Sequence, residues 1–218
     1  SDEVEKHMRS KFPKSIGLLV AEVVLPQGPA ESLIKEGDTL VSINGQDIAT
    51  FIKVDEIFDS SSGEDVEIVV QRNKESVTIT CKVQDLHSIT PNRQLSVGGA
   101  VFNDMSYQMA RIYAIPVKGV FIAHATASFF LDKIESDGWV LDTLNDIDIK
   151  DLDHLIEVMK TVPDRARISI KYRHITDLHS PSVSTVYIDR HWCTTFRLAT
   201  RNDETGIWDF QDLGDPLP

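Results

Sequence analysis

GDTLVSINGQDI, from Gly37 to Ile48, returns without a gap as GWVLDTLNDIDI, from Gly138 to Ile149. Gly138 falls under Gly37, Leu141 under Leu40, Leu144 under Ile43, Asn145 under Asn44 and Ile149 under Ile48. Self-similarity at a spacing of about a hundred residues constrains the fold more than any other feature, because each copy has to close its own core. A chain of 218 residues has room for two domains of roughly 100 residues each.

The flanks repeat as well. An apolar run from Leu18 to Leu25 precedes the first copy, too short and too β-branched to favour a helix. Pro26, Gly28 and Pro29 break it, and Pro29 opens a short helical turn carrying Ala30, Leu33 and Ile34. Asn44 and Gly45 both tolerate positive φ and mark a tight turn. Beyond them, FIKVDEIFDSS places Phe51, Val54, Ile57 and Phe58 at helical spacing. EDVEIVVQRNKESVTITCKV then reads as a hairpin turning at Arg72-Asn73-Lys74. In the second copy, GVFIAHATASFFLDKIES replaces the apolar run and its helical turn. DLDHLIEVMK repeats the helix, with Leu152, Leu155 and Met159 under Phe51, Val54 and Phe58, and ARISIKYR and STVYIDRHW supply the closing strands. One order of parts occurs twice, which predicts an α+β class with two tandem domains.

Composition narrows the function. Asp and Glu number 34 against 22 Lys and Arg, a formal net charge of −12, which argues against nucleic acid as a general partner. Arg165, Arg167, Lys171 and Arg173 alternate with Ile168, Ile170 and Tyr172, the period of a strand with one solvated basic face. No apolar run approaches the ~20 residues that cross a bilayer, and SDEVEKHMRSKF has no signal-peptide core, so a soluble piece without a membrane partner is expected. Cys81 and Cys193 stand far apart without CxxC or Cys/His metal spacing, as reduced thiols of a cytosolic or nuclear setting would. The seven histidines form no HExxH or similar pair, so neither metal nor cofactor is expected.

LPQGPAESLIKEGDTLVSINGQDI resembles the PDZ domains attached to the HtrA/Deg serine proteases. DLHSITPNR, MSYQMARIYAIPVKGVF, VMKTVPDRARISIKYRHITDLHS, YIDRHW and RNDETGIWDF resemble the fungal, nuclear, pro-apoptotic branch of that family, long proteins with two protease-like halves and several PDZ domains. The resemblance covers essentially the whole chain. It implies two tandem PDZ-like domains, each a partly open β-barrel or sandwich with flanking helices, the first N-terminally truncated. The implied boundaries are 1–86 for the first domain, without its carboxylate-loop strand, 87–93 for a linker, 94–198 for the second domain and 199–218 for a C-terminal tail or linker. Nuclear residence follows from the resemblance alone, with the cytoplasm as the alternative.

A PDZ domain keeps one sheet edge open beside a helix and takes a peptide as an added strand. By resemblance, Val97, Gly98, Gly99 and Ala100 form the carboxylate loop of the second domain, with glycines letting backbone N–H groups converge. Val101 and Phe102 begin its peptide-pairing strand, and Leu152, Ile156 and Met159 are the facing helix wall. For the first domain only the helix wall is expected, with Phe51, Val54 and Phe58. The second domain departs from the family pattern: ATASFFLDKIES replaces the Pro-Gly-Pro turn, and Trp139 stands where the first copy has Asp38. Two functions follow. One is a non-catalytic peptide-recognition and regulatory segment that binds apolar C-termini or extended strands by β-augmentation. The other is a structural spacer whose domains dock against the neighbouring protease domains without binding free peptide.

Catalytic residues are not assigned. The HtrA-type nucleophile sits in a GNSGG-like turn that makes the oxyanion hole, and no such turn occurs in the sequence. Ser60-Ser61-Ser62-Gly63 reads as a loop, and Asp189, His191 and Cys193 share one side of a predicted strand without an oxyanion donor. The expectation is a chain without enzymatic activity, within a parent that resembles an HtrA-family endopeptidase. The acidic TRNDETGIWDFQDLGDPLP reads as a linker, in which Trp208 and Phe210 either pack back on the second domain or dock the next protease-like half.

Overall fold

A computed structural model describes residues 2–14, 17–129 and 138–214. The chain divides into two compact units, residues 1–89 with 110–117, and residues 90–109 with 118–218.

The first unit opens with α1 (Asp2–Lys11), whose acidic first turn and basic last turn suit the helix dipole. Residues 17–21 then run beside β1 (Thr39–Ile43): the Leu40 amide donates to the Leu19 carbonyl at 2.8 Å, and the Ala21 amide to the Asp38 carbonyl at 2.9 Å. β2 (Gln46–Asp47) folds back on β1. α2 (Phe51–Ser60) precedes the hairpin of β3 (Asp65–Arg72) and β4 (Glu75–Lys82), giving a sheet of order β2-β1-β3-β4. Ile57 of α2 packs with Ile43, Val66, Ile68 and Ile79 in the core of this unit.

The second unit is built on a longer sheet. β5 (Arg93–Val97) and β6 (Ala100–Asp104) form a hairpin; after α3 (Tyr107–Tyr113), whose residues from 110 on fall in the first unit, come β7 (Val120–His124) and a 3-10 turn at Ala127–Phe129. β8 (Trp139–Leu144), β9 (Ile147–Asp148) and α4 (Leu152–Thr161) come next. β10 (Arg167–His174), β11 (Asp177–Tyr187), β12 (Phe196–Arg201) and β13 (Trp208–Asp212) complete it. The strand order is β11-β10-β8-β7-β6-β5-β12-β13, with β9 folded back on β8. Asp151 caps α4 by accepting from the His154 amide. The apolar stripe of α4, Leu152, Leu155, Ile156 and Met159, lies in one core with Leu95, Phe102, Leu141 and Tyr172. The class is α+β as expected, and the sheets are open rather than closed into barrels.

The repeat is visible in register. Leu40 faces Val70 and Ile43 faces Ile68, while Leu141 faces Tyr172 and Leu144 faces Ile170. Asn44 and Gly45 turn at φ of 49° and 72°, and Asn145 and Asp146 at 52° and 63°, the two positive values that a type I′ turn needs. One step beyond the Thr39–Gln71 pair, Asp38 accepts two hydrogen bonds from Arg72, at 2.8 and 2.6 Å. At the same register the second unit sets Trp139 against His174, their rings edge to face at 5.0 Å. The change from Asp to Trp is thus matched by a change from Arg to His across the ladder.

Residues expected as a C-terminal tail, 199–218, include the end of β12 and all of β13. The acidic turn between them hides the hairpin: the Asn202 amide donates to the Ile207 carbonyl, and the Asn202 side chain accepts from the Glu204 and Thr205 amides. Trp208 and Phe210 lie on β13, at 39% and 65% exposure. The end of the expected 87–93 linker is structured too, since Arg93 begins β5.

Candidate strand-binding grooves

Val97 pairs with Ala100, and between them Gly98 and Gly99 turn the chain at φ of 58° and 86°. A two-residue loop with both φ positive is a type I′ hairpin turn. Packing demands glycine a second time. A Cβ on Gly98 would stand 2.9 Å from Phe129 Cε2, and one on Gly99 would stand 2.6 Å from Ala127 Cβ. The polar groups of the turn meet groups of the same unit. The Gly98 amide donates to the Thr195 carbonyl at 3.2 Å, the Gly98 carbonyl accepts from the Ser128 amide at 3.1 Å, and Thr126 Oγ1 donates to the Gly99 carbonyl. The expected carboxylate loop is therefore a closed hairpin turn, with an internal carbonyl on its Gly98 N–H.

Both edges of β6 are taken. On one side Leu95 faces Phe102 and Ser96 faces Val101, and on the other Phe102 faces Ile122 and Asn103 faces Phe121. Leu95 and Phe102 are fully buried and Val97 nearly so. β5 lies antiparallel on β6 and shares its core with Leu152, Ile156 and Met159, the expected helix wall. Arg93 ties the start of the strand down. Its Nη1 donates to Asp153 Oδ1 at 2.6 Å and its Nη2 to Asp104 Oδ2 at 3.1 Å, while Asp104 Oδ1 accepts from the Leu152 amide at 3.3 Å. Burial works against the charge on Arg93, and the Asp153 and Asp104 carboxylates outweigh it. At the other end of β5 a cavity of about 20 Å³ remains, lined in part by Val97, Gly98, Met159 and Arg190, with room for about one water. Arg190 donates to the Met159 and Val162 carbonyls at 3.3 and 2.5 Å, closing the C-terminus of α4.

The first unit differs at the corresponding edge. Leu19 and Ala21 aim their bonded groups at β1, so the alternation of a ladder turns the Val20 N–H and C=O away from it. Val20 is 56% exposed, and among the described residues no strand lies on that outer side. On α2, Val54 and Phe58 are half-buried against the core, while Phe51 is exposed. A cleft of about 470 Å³ opens among Met8, Phe12, Leu18, Val20 and Thr39, and Phe51, Val54 and Phe58 do not line it.

Of the residues read from sequence, Val97, Ala100, Phe102, Leu152, Ile156 and Met159 meet in one core, with Val101 half-buried beside them. Arg93, Leu95, Asp104 and Asp153 carry the same site and were not singled out, although the alternation of RQLSV was a signal for a strand. Asp189, His191 and Cys193 form a turn. Asp189 Oδ1 accepts from the His191 and Trp192 amides at 3.0 and 3.1 Å, and the Cys193 amide donates to the Asp189 carbonyl at 2.9 Å. Among the described residues no group of three or more His, Cys, Asp or Glu is placed to hold a metal ion.

Comparison with known proteins agrees with this geometry. Residues 20–72 match a PDZ domain family model and residues 88–165 a PDZ-like domain model. The chain is 57% identical over its full length to the pro-apoptotic serine protease NMA111 of Debaryomyces hansenii and 53% identical to that of Saccharomyces cerevisiae, covering 22% of each. It is 57% identical over 99% of its length to the NMA111 of Scheffersomyces stipitis, again covering 22% of that protein. The chain thus spans less than a quarter of the length of the curated relatives it matches. Two PDZ matches that follow the structural repeat show that the chain belongs to the PDZ family as a tandem of PDZ domains, similar over its whole length to part of these serine proteases.

Proposed function

We propose that this segment regulates an HtrA-like serine protease and that its two domains divide the work. The first recognises extended polypeptide, and the second is a scaffold whose peptide position is filled by its own β5. One contrast carries the reading: β7 is paired by β6 and β6 by β5, whereas residues 19–21 are paired, with β1, on one side only among the described residues. Along residues 19–21 belongs a strand equivalent to β6. An extended polypeptide supplies it, from the same protein at full length or from an apolar C-terminus in the segment alone. Occupancy regulates the protease only where free and bound arrangements differ in affinity for the ligand. Proteolysis belongs to the parent protein, outside these residues. Nuclear residence is part of the proposal, and a fluorescent fusion of the full-length protein tests it.

Fluorescence anisotropy with labelled C-terminal peptides tests the division of work. Saturable binding is expected, lost in Val20→Pro, which removes an outward N–H and keeps the inner ladder, and unchanged in Arg93→Ala. Binding that survives Val20→Pro but not Arg93→Ala would move recognition to the second domain. The spacer reading is favoured by the closure of the β6 edge, and absence of binding in the wild-type segment would extend it to both domains.

A further inference from the structure

β13 ends the sheet of the second unit. Its ladder sets Asp212 against Arg197, Phe210 against Ala199 and Trp208 against Arg201. Just beyond its ends, the Leu213 amide donates to the Phe196 carbonyl and the Asn202 amide to the Ile207 carbonyl. Bonded and non-bonded pairs alternate along an antiparallel ladder, so Asp209 and Gln211 turn their backbone groups inward to β12. Trp208, Phe210 and Asp212 turn theirs outward, where no strand meets them among the described residues. Ile207 and Phe210 are each 65% exposed. Natural sheets blunt such edges with charged side chains, Pro or a covering segment; WDFQD has no Pro, and its charges are Asp209 and Asp212.

We propose that β13 pairs antiparallel with β13 of a second copy of this chain, about a two-fold axis at Phe210. The charge pattern selects that occupant. In this register Phe210 faces its own counterpart, Trp208 faces Asp212 and Asp209 faces Gln211. Every outward backbone group of 208, 210 and 212 finds a partner, and no carboxylate opposes another, which would be unfavourable. A slip of two residues one way sets Asp209 against Asp209, and a slip the other way carries Trp208 past the end of the facing strand. Asp212 is already neutralised by Arg197, whose Nε donates to it at 2.8 Å and whose guanidinium lies 5.6 Å from the centre of the Phe210 ring. The self-complementary pattern of an isologous contact is therefore written in five residues.

Sedimentation equilibrium of the 218-residue chain tests this. The mass should rise with concentration from 24.4 kDa toward twice that value. Phe210→Pro removes only an outward N–H and keeps the inner ladder, and it should weaken dimerisation by about tenfold or more. Phe210→Lys places two like charges on the axis without changing the backbone and should do the same, so the result does not hang on one variant folding. A chain that stays monomeric, or a dimer that Phe210→Lys leaves unchanged, overturns the proposal.

Discussion

Leu95 stands directly across from Phe102 in the β5–β6 ladder, and both side chains are fully buried. A strand docked only loosely on the domain would leave its apolar residues partly wet. Leu95→Ala should therefore cost about 2–5 kcal/mol, the loss of a core leucine. All three tryptophans, Trp139, Trp192 and Trp208, belong to the second unit, so urea unfolding followed by tryptophan fluorescence reads this domain. A change below about 0.5 kcal/mol, the range of surface substitutions, would mean that β5 is not part of the core.

Gly99 and Gly63 separate strain from packing. Both have positive φ, 86° and 80°, but a Cβ on Gly63 meets nothing within 4 Å. Gly63→Ala should cost about 1 kcal/mol for the left-handed backbone, whereas Gly99→Ala adds the clash with the Ala127 and Thr126 turn and should cost clearly more. Equal losses in chemical denaturation would show that the β5–β6 turn does not press on residues 126–129.

Asp38 and Arg72 make the first domain sensitive to acid. The hydrogen bonds from Arg72 hold the Asp38 carboxyl below its usual range, against burial that works to raise it. The native state favours the ionised form, so its stabilisation is complete above about pH 4 and is lost as pH falls through the lowered folded pKa. Asp38→Asn should lower first-domain stability at neutral pH, because it leaves Arg72 without its carboxylate. It should also flatten the acid limb of first-domain stability. The second domain has Trp139 and His174 at this register.

The two thiols should label in sequence. Burial pushes the Cys81 thiol up, with Asp65 adding to it, and the side chain sits in the core of the first unit. Cys193 is partly exposed. A thiol-reactive dye should modify Cys193 under native conditions and reach Cys81 only as the first unit opens, which makes Cys81 a reporter for the Asp38→Asn measurement. Equal rates at both positions would contradict the burial of Cys81.

Much of this was legible in the sequence, and the exceptions have physical causes. The repeat showed because its turn residues and alternating strand repeat at fixed offsets, and Leu144 and Ile170 pair as Ile43 and Ile68 do. SVGGAV was ambiguous, since two adjacent glycines serve an anion-binding loop and a type I′ turn equally well. What decides between them is the partner of β6, a long-range fact that local pattern does not contain. The expected helix wall of the second domain, Leu152, Ile156 and Met159, lies instead in the core, with Leu95 of the chain itself as its neighbour. β13 escaped notice because Asp209 and Asp212 gave its neighbourhood the composition of a linker.

Amide hydrogen exchange of Arg93–Val97 and Ala100–Asp104, with and without excess apolar C-terminal peptide, tests the closed second groove most directly. Both strands should be protected in the free segment, and the peptide should leave their exchange unchanged. Rapid exchange of β5 in the free segment, or protection of β6 that arises only on adding peptide, would contradict the account.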